Sequence, residues 1–224
     1  MSKEITFCLT SCNRFDLLQI TLDSFFALNK HPIKKFIVIE DSGLPEMRDK
    51  ILKKYADKVE LIYNETNLGP YKSIDKMYQQ VDTEYIFHSE DDWRYQNNAN
   101  FIKESLDILE TNSNINQIWI RQDIDWSWVE TKKYSTPEHT TYRMVKCPHL
   151  GGWCGFSHNP GLRRKSDYIK MFPNGFAEFI LPNEKAVHTE LACNVNAMNQ
   201  GYRAAALLNS SCIHIGGNGR STIA

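Results

Sequence analysis

The stretch of sequence that decides the fold is YIFHSEDDW, residues 85–93. It begins with an apolar run, residues 85–87, which predicts a short buried strand. That strand ends in three consecutive carboxylates, Glu90-Asp91-Asp92. The neighbours of this strand along the chain therefore determine what kind of sheet carries the acidic cluster, and at which edge.

The residues before this stretch alternate between strand and helix patterns. Apolar residues recur at helical spacing between the strands, as at Phe15, Leu18, Leu22 and Phe25. The predicted strands are 5–9, 36–39 and 59–63, and the predicted helices are 15–28, 46–55 and 71–80. Strands and helices alternating at this spacing predict βαβ units and a parallel sheet covered by helices. Ligands of such sheets bind at the carboxyl ends of the strands, which is where the acidic cluster lies.

The pattern is looser after residue 93. We expect helices at 101–109, 163–171 and 184–199, and strands at 117–121, 153–157 and 203–208. Residues 122–150 predict loops and short edge strands, and a Gly- and Ser-rich tail follows from residue 210. Gly201 stands where a helix-ending glycine is common. Because there is no repeat, linker or low-complexity tract, we expect one domain.

Composition argues against several classes of protein. The chain has 224 residues, with 26 Lys and Arg against 27 Asp and Glu and 42% hydrophobic residues, which is ordinary globular composition. The net charge of −1 argues against a nucleic-acid partner. No apolar run approaches a membrane span and no signal peptide is evident, so we expect a cytoplasmic protein. The six cysteines form no CxxC pair and are expected to be reduced.

The acidic cluster predicts a cation site. Adjacent carboxylates repel one another, which raises their pKa values, and a bound divalent cation relieves that repulsion. Mg²⁺ or Mn²⁺ typically joins one or two carboxylates to phosphate oxygens. An acidic triplet can also be a solvated turn, but its position at the end of a strand in a βαβ pattern favours the cation site.

Four segments together resemble a GT-A glycosyltransferase of the family-2 type. They are FCLTSCNR at 7–14, IVIEDSG at 37–43, NLG at 67–69 and EDDW at 90–93, the last of which is also similar to a motif of N-acetylglucosaminyltransferases. The resemblance implies an α/β, Rossmann-like GT-A fold: a mostly parallel central sheet with helices on both faces, plus a smaller mixed acceptor-side sheet. It implies a single domain, 1–224, with a nucleotide-binding half, 1–93, and an acceptor-side half, 94–224, that ends in a mobile tail.

The resemblance also implies roles for the residues around the nucleotide. In the place of the DXD-type motif, Asp92 would ligate Mn²⁺ or Mg²⁺, while Glu90 and Asp91 would contact ribose or metal-bound water. The metal would hold the diphosphate of the donor and stabilise it as the leaving group. Asp41 is implied to contact the base. The other residues implied to surround the nucleotide are Thr10, Ser11, Arg14, Asn67, Gly69 and Lys72.

Several of these positions allow a second interpretation. Lys72 could reach a phosphate as a point charge or be a surface lysine on the first turn of a helix. Trp153 follows two glycines, in a segment similar to the family's loop beside the donor sugar and acceptor, and it could equally be a core residue. His214 precedes a glycine-rich segment that contains Arg220. In many GT-A enzymes such a His reaches the metal and the tail closes over the diphosphate, but an isolated His is usually structural.

The general base is the least regular part of the match. Family-2-type enzymes carry it in an acidic pair about a dozen residues before a helix-closing glycine. Counting back from Gly201 reaches Thr189-Glu190, so Glu190 takes the base position and Thr189 replaces the first acid. Glu184 is the alternative, and both could be exposed helix acids. Among the other histidines, His88 stands out because it is next to the acidic cluster.

The resemblance implies a metal-dependent glycosyltransferase of the hexosyltransferase type. It would move a sugar from a UDP- or GDP-sugar to a glycan or other hydroxyl acceptor, with inversion, as a monomer or homodimer. A non-catalytic carbohydrate-binding module, suggested by the Trp and Tyr content of 119–153, would need neither metal nor nucleotide. A sugar nucleotidylyltransferase is less consistent with the sequence, because the loop TSCNR at 10–14 lacks the glycines of that class.

Overall fold

A computed structural model describes residues 3–121, 129–146, 154–180, 182 and 186–217. Its strands are β1 (Ile5–Ser11), β2 (Lys35–Glu40), β3 (Glu60–Tyr63), β4 (Tyr85–Glu90), β5 (Trp93–Tyr95), β6 (Ile115–Trp119), β7 (Tyr134–Ser135), β8 (Thr141–Met144), β9 (Gly161–Arg164), β10 (Arg203–Leu207) and β11 (Cys212–His214). Its helices are α1 (Phe15–Leu28), α2 (Pro45–Tyr55), α3 (Pro70–Tyr78), α4 (Phe101–Thr111), α5 (Lys165–Met171) and α6 (Ala186–Asn199), with a 3₁₀ helix at Phe176–Phe179.

The large sheet has nine strands in the order β3-β2-β1-β4-β9-β6-β10-β8-β7. The first four are parallel to one another, as the alternation of strands and helices predicts. Only β8 and β9 run against the common direction, so the sheet is mostly parallel. A second, two-stranded sheet pairs β5 with β11 antiparallel. This arrangement confirms the expected GT-A fold class.

Helices cover both faces of the sheet because its central strands are apolar on both sides. In β1, Phe7 packs into the layer formed with α1, α2 and α4, around Phe25. The next residue, Cys8, faces the layer formed with α3, α5 and α6, around Tyr78. Successive side chains of a strand point to opposite faces, so a continuous apolar run is what a doubly covered strand requires.

The antiparallel strand β9 is the main departure from the expected elements. Residues 154–157 form no strand, and the predicted helix at 163–171 instead begins at Lys165, after the strand Gly161–Arg164. This strand lies between β4 and β6, where Gly161 pairs with His88 and Trp119. A short run flanked by a helical pattern can be read either way, so periodicity did not distinguish the strand from the helix.

Replacing Gly161 by Ala is expected to lower the free energy of unfolding by about 1–3 kcal/mol. A Cβ at this position would collide with the backbone carbonyl oxygen of Ile118, which sheet pairing prevents from moving away. Thermal or denaturant unfolding measures the effect. Gly217→Ala is the matched control, because a Cβ there has nothing within 4 Å. Equal stability of the two variants would contradict the close strand approach.

The end of α6 shows the expected glycine signal. Gly201 has φ +84°. Its amide donates to the carbonyl of Met198 at 2.9 Å, and the amide of Tyr202 donates to the carbonyl of Ala197 at 3.0 Å. These two bonds form a Schellman motif, which satisfies carbonyl groups at the helix end.

The cysteines follow the expectation only in part. Cys8, Cys12, Cys193 and Cys212 are free thiols. Cys154 is disulfide-bonded, so the expectation of reduced thiols is wrong at that position. Spacing in the sequence does not reveal which thiols the fold brings together. Within the described ranges, no helix is both long enough and apolar enough to cross a membrane.

Candidate active site

A cavity of about 270 Å³ opens at the carboxyl ends of β1, β2 and β4. This edge of the sheet is where the alternation of strands and helices predicts a ligand. Seven residues implied by the resemblance line it: Thr10, Ser11, Arg14, Asp41, Asn67, Gly69 and Glu90. The remaining lining residues are Cys12, Ile39, Pro70 and Ser73.

Asp41 is held in a fixed orientation at this cavity. Its Oδ1 accepts hydrogen bonds from Nδ2 of Asn64 at 2.7 Å and from the backbone amide of Leu68 at 2.9 Å. Asn64 in turn accepts from Nζ of Lys76 at 2.6 Å. Both of these donors use Oδ1, so neither of them occupies the second oxygen of the Asp41 carboxylate, and Asp41 lines the cavity. Lys72 is exposed and does not line the cavity.

The cavity also receives the N-terminus of α3. Gly69 precedes this helix with φ +81°, a backbone conformation that favours glycine, and its amide donates to Oδ1 of Asn67 at 3.1 Å. Pro70 is the first helical residue, where its lack of an N–H costs nothing. The free amides and the dipole at a helix N-terminus favour negatively charged groups such as phosphate.

Arg14 links the cavity to the acidic cluster. Its Nε donates to Oδ2 of Asp91 at 3.1 Å, Nη2 pairs with the other oxygen of Asp91, and Nη1 donates to Oδ2 of Asp92 at 2.9 Å. Asp91 is buried and does not line the cavity. Burial raises the pKa of Asp91, and the Arg14 guanidinium opposes that shift. Asp91 therefore holds Arg14, and with it the loop after β1, in place through this ion pair.

Asp92 lies next to His214 because β5 and β11 pair. The register places His214 opposite Trp93, with their rings 5.0 Å apart, and the amide of Ile215 donates to the backbone carbonyl of Asp92 at 2.8 Å. Nε2 of His214 lies 3.3 Å from Oδ2 of Asp92. The sequence pattern predicted neither of these three-residue strands.

The donor atoms of Asp92 and His214 fit a divalent cation. Two ligands on adjacent positions of one cation are about 3 Å apart, close to the separation seen here. Oδ1 of Asp92 is buried and has no hydrogen-bond partner among the described residues, so a further oxygen is available. The described part of the chain contains no cluster of three or more ligating side chains. Two protein ligands suit Mn²⁺ or Mg²⁺, which commonly take further oxygens from phosphate and water.

Two buried glutamates, Glu90 and Glu190, lie close enough for their charges to interact. Burial, together with the charges of Asp92 and Glu190, raises the pKa of Glu90 to about 8. Glu190 lies on α6, and its Oε1 accepts from the backbone amide of His158 at 2.8 Å. Burial also raises the pKa of Glu190, while that hydrogen bond and the positive charge of Arg163 oppose the shift.

The sequence and the structure both match known proteins. The family model described as glycosyl transferase family 2 matches residues 6–168, which include every residue that lines the cavity. The chain belongs to glycosyl transferase family 2. Glu190 and His214 lie beyond the matched region of this family-2 chain.

Solved structures with the same fold confirm the architecture of the family-2 chain. TarS from S. aureus in complex with UDP-GlcNAc has a TM-score of 0.65 and 15% identity, over 97% of this chain and 60% of TarS 1–349. The mannosyltransferase PcManGT from Pyrobaculum calidifontis, in complex with GDP-Man and Mn²⁺, has a TM-score of 0.62 and 13% identity, over 96% of this chain and 58% of its own. The chain thus spans about three fifths of their length. No curated protein sequence matches it significantly.

Some predicted residues of the family-2 chain are placed differently or lie outside the described ranges. Trp153, Arg220 and the alternative base Glu184 are among the residues that the structure does not describe. His88 is buried on β4, and its Nδ1 lies 3.0 Å from the hydroxyl of Tyr78, so it is a packed core residue.

Sequence reasoning missed the residues that support the site. Glu40 accepts from the amides of Asn13 and Ser42, both at 3.0 Å, and so ties together the loops after β1 and β2. Asn194 accepts from three consecutive backbone amides, those of residues 154–156, at 2.7–3.1 Å. A polar residue inside an apolar pattern was the available signal, since a buried polar group needs partners.

Proposed function

We propose that the chain is a metal-dependent glycosyltransferase that moves a sugar from a nucleotide-diphospho-sugar, with UDP or GDP as the nucleotide, to a hydroxyl group of a glycan or other acceptor. The observation that carries this proposal is the continuity of the site. Arg14 lines the cavity and donates to Asp92, and Asp92 in turn lies beside His214. A nucleotide pocket and a two-ligand cation site are therefore adjacent, as a diphosphate donor requires. In this proposal the half before residue 94 binds nucleotide and the rest binds acceptor.

The polar groups of the cavity favour particular bases. With Oδ1 of Asp41 occupied by Asn64 and Leu68, its second oxygen is suited to accept from an N–H group of a base. Uracil and guanine both offer a ring N–H on their pairing edge, whereas the ring N3 of cytosine is an acceptor. The carboxylate therefore favours UDP or GDP over CDP. The complexes of TarS with UDP-GlcNAc and of PcManGT with GDP-Man are consistent with these two bases.

Asp92 and His214 would hold the metal, with Asp92 Oδ1 as a further oxygen. When bound, the metal supplies Lewis-acid stabilisation of the negative charge on the leaving diphosphate. The protein contributes a rigid position for both ligands, since β5–β11 pairing fixes His214 and Arg14 orients Asp92. The PcManGT complex contains Mn²⁺.

Glu190 would act as the general base. As the acceptor oxygen forms its bond to the anomeric carbon, its proton passes to the Glu190 carboxylate and the electron pair of the breaking bond leaves with the nucleoside diphosphate. Attack opposite the leaving group inverts the configuration at that carbon. The hydrogen bond from the amide of His158 orients the carboxylate, and the Ser157 hydroxyl also donates to it.

Calorimetric titration with UDP, GDP, CDP and dTDP, each with and without Mn²⁺, tests the proposal. We expect UDP or GDP to bind with micromolar affinity when Mn²⁺ is present, and CDP to bind weakly. Asp41→Asn should weaken that binding about 10-fold or more, because the amide presents an N–H to the N–H of the base. Absence of binding by all four nucleotides to the folded chain would overturn the proposal.

A further inference from the structure

Gly216 passes directly over the pair formed by Asp92 and His214. A Cβ built on Gly216 would lie 2.6 Å from Oδ2 of Asp92 and 2.9 Å from Nε2 of His214. Those two atoms are themselves 3.3 Å apart, so the three points form a nearly equilateral triangle. Real Cβ atoms do not approach other atoms this closely. Any residue larger than glycine would therefore place its Cβ against both donor atoms.

The backbone gives no other reason for a glycine at this position. Gly43, Gly69, Gly175 and Gly201 have positive φ, but Gly216 does not. An L-residue could therefore adopt its backbone conformation. The neighbouring Gly217 differs, because a Cβ there would meet nothing within 4 Å. What distinguishes Gly216 is the position of its missing side chain.

The carboxylate of Asp92 and the backbone of His214 are both held in place. Asp92 is largely buried, and its Oδ2 already accepts from Nη1 of Arg14 at 2.9 Å. The backbone of His214 is held by the pairing of β11 with β5, and the amide of Ile215 donates to the carbonyl of Asp92 at 2.8 Å, while the imidazole itself is exposed. Gly216 thus lies two residues after the paired backbone of His214 and next to the held carboxylate of Asp92. A methyl group added there would either take the open space or separate the two donors.

We propose that Gly216 is a positioning residue, which keeps open the space that a divalent cation bound to a nucleoside diphosphate needs beside Asp92 and His214. The inference rests on the proposed function, because it assigns to this residue the accessibility of the proposed cation site. It adds a requirement beyond the ligands themselves: residue 216, two positions after the histidine, must carry no side chain.

The test measures nucleotide binding rather than turnover. Titration calorimetry gives the Kd of UDP and of GDP, with and without Mn²⁺, for the wild-type chain, Gly216→Ala and the matched control Gly217→Ala. We expect Gly216→Ala to weaken Mn²⁺-dependent binding about 10–100-fold, and Gly217→Ala to leave it unchanged. Binding without Mn²⁺ should be equal in all three, because the Asp41 side of the cavity is unaltered. Thermal unfolding confirms that each variant is folded.

A double-variant cycle separates this role from a general structural one. In His214→Ala the imidazole is already absent, so adding Gly216→Ala should cost much less than it does in the wild-type chain. Additive losses, or equal Mn²⁺-dependent affinity of Gly216→Ala and the wild-type chain, would overturn the inference and leave the proposed function intact. A wild-type chain that binds no nucleotide with Mn²⁺ overturns the proposed function, and the inference with it.

Discussion

Replacing Glu190 by Gln is expected to lower kcat about 10²–10⁴-fold while leaving the affinity for the nucleotide unchanged. Gln retains an oxygen that can accept from the amide of His158, a bond of 2.8 Å in the wild-type chain, so the fold around residue 190 is preserved. What the variant loses is a group that can take the proton of the acceptor hydroxyl. Steady-state kinetics with a UDP- or GDP-sugar, beside nucleotide titration, measures the two quantities separately.

The pH dependence of the wild-type enzyme should report the same carboxyl group. Burial raises the pKa of Glu190 above that of an ordinary glutamate, while Arg163, Arg121 and the amide of His158 limit the rise. A base works only when ionised, so kcat/KM should fall as the pH drops through this raised pKa. In Glu190→Gln that acid limb should disappear.

Glu138→Gln is a suitable control, because Glu138 is an exposed carboxyl in the turn between β7 and β8. It should match the wild-type enzyme in both kcat and pH profile. An undiminished kcat in Glu190→Gln would exclude Glu190 as the base and turn attention to Glu184.

Replacing Asp92 by Ala is expected to abolish the dependence of nucleotide binding on Mn²⁺ and to lower kcat/KM about 1000-fold. The change removes both carboxylate oxygens from the proposed cation site, including the oxygen 3.3 Å from Nε2 of His214. Arg14 keeps its contacts with Asp91, so the loop after β1 should remain in place.

Titration of UDP and GDP at several Mn²⁺ concentrations measures this effect. The wild-type affinity should increase with Mn²⁺, and that of Asp92→Ala should not. Asp82→Ala, which removes an exposed carboxylate of similar chemistry, is the control and should behave as wild type. A variant whose affinity still rises with Mn²⁺ would place the cation away from Asp92.

The first half of the fold could be predicted from the sequence because each of its elements carries a strong local signal. The helix Phe15–Leu28 was predicted with the bounds it has, since its apolar residues keep helical spacing and the chain turns extended after Leu28. The strand β9 could not be predicted in this way, because it has only four residues. Its pairing with neighbouring strands outweighs the helical pattern of the residues that follow it. Strands β5 and β11 are shorter still, three residues each, and exist because they pair with one another.

For the candidate site, the sequence indicates residue types more readily than contacts. The acidic cluster at a strand end predicted a cation site, and the resemblance implied that Asp92 and His214 bind the metal, but no local pattern shows that these residues meet. Arg14 was assigned to the nucleotide; it lines the cavity and also pairs with Asp91 and Asp92, contacts that the sequence did not predict. Pairing of this kind depends on distances across the fold, which spacing along the chain does not contain.

Because β5 pairs with β11, the candidate cation site can form only after both strands have been synthesised. A ribosome makes Asp92 long before His214, and half of the chain separates them. Every residue that lines the cavity is therefore synthesised before the second proposed metal ligand. In the proposed function, sugar transfer would therefore begin only after β11 has been synthesised and has paired with β5.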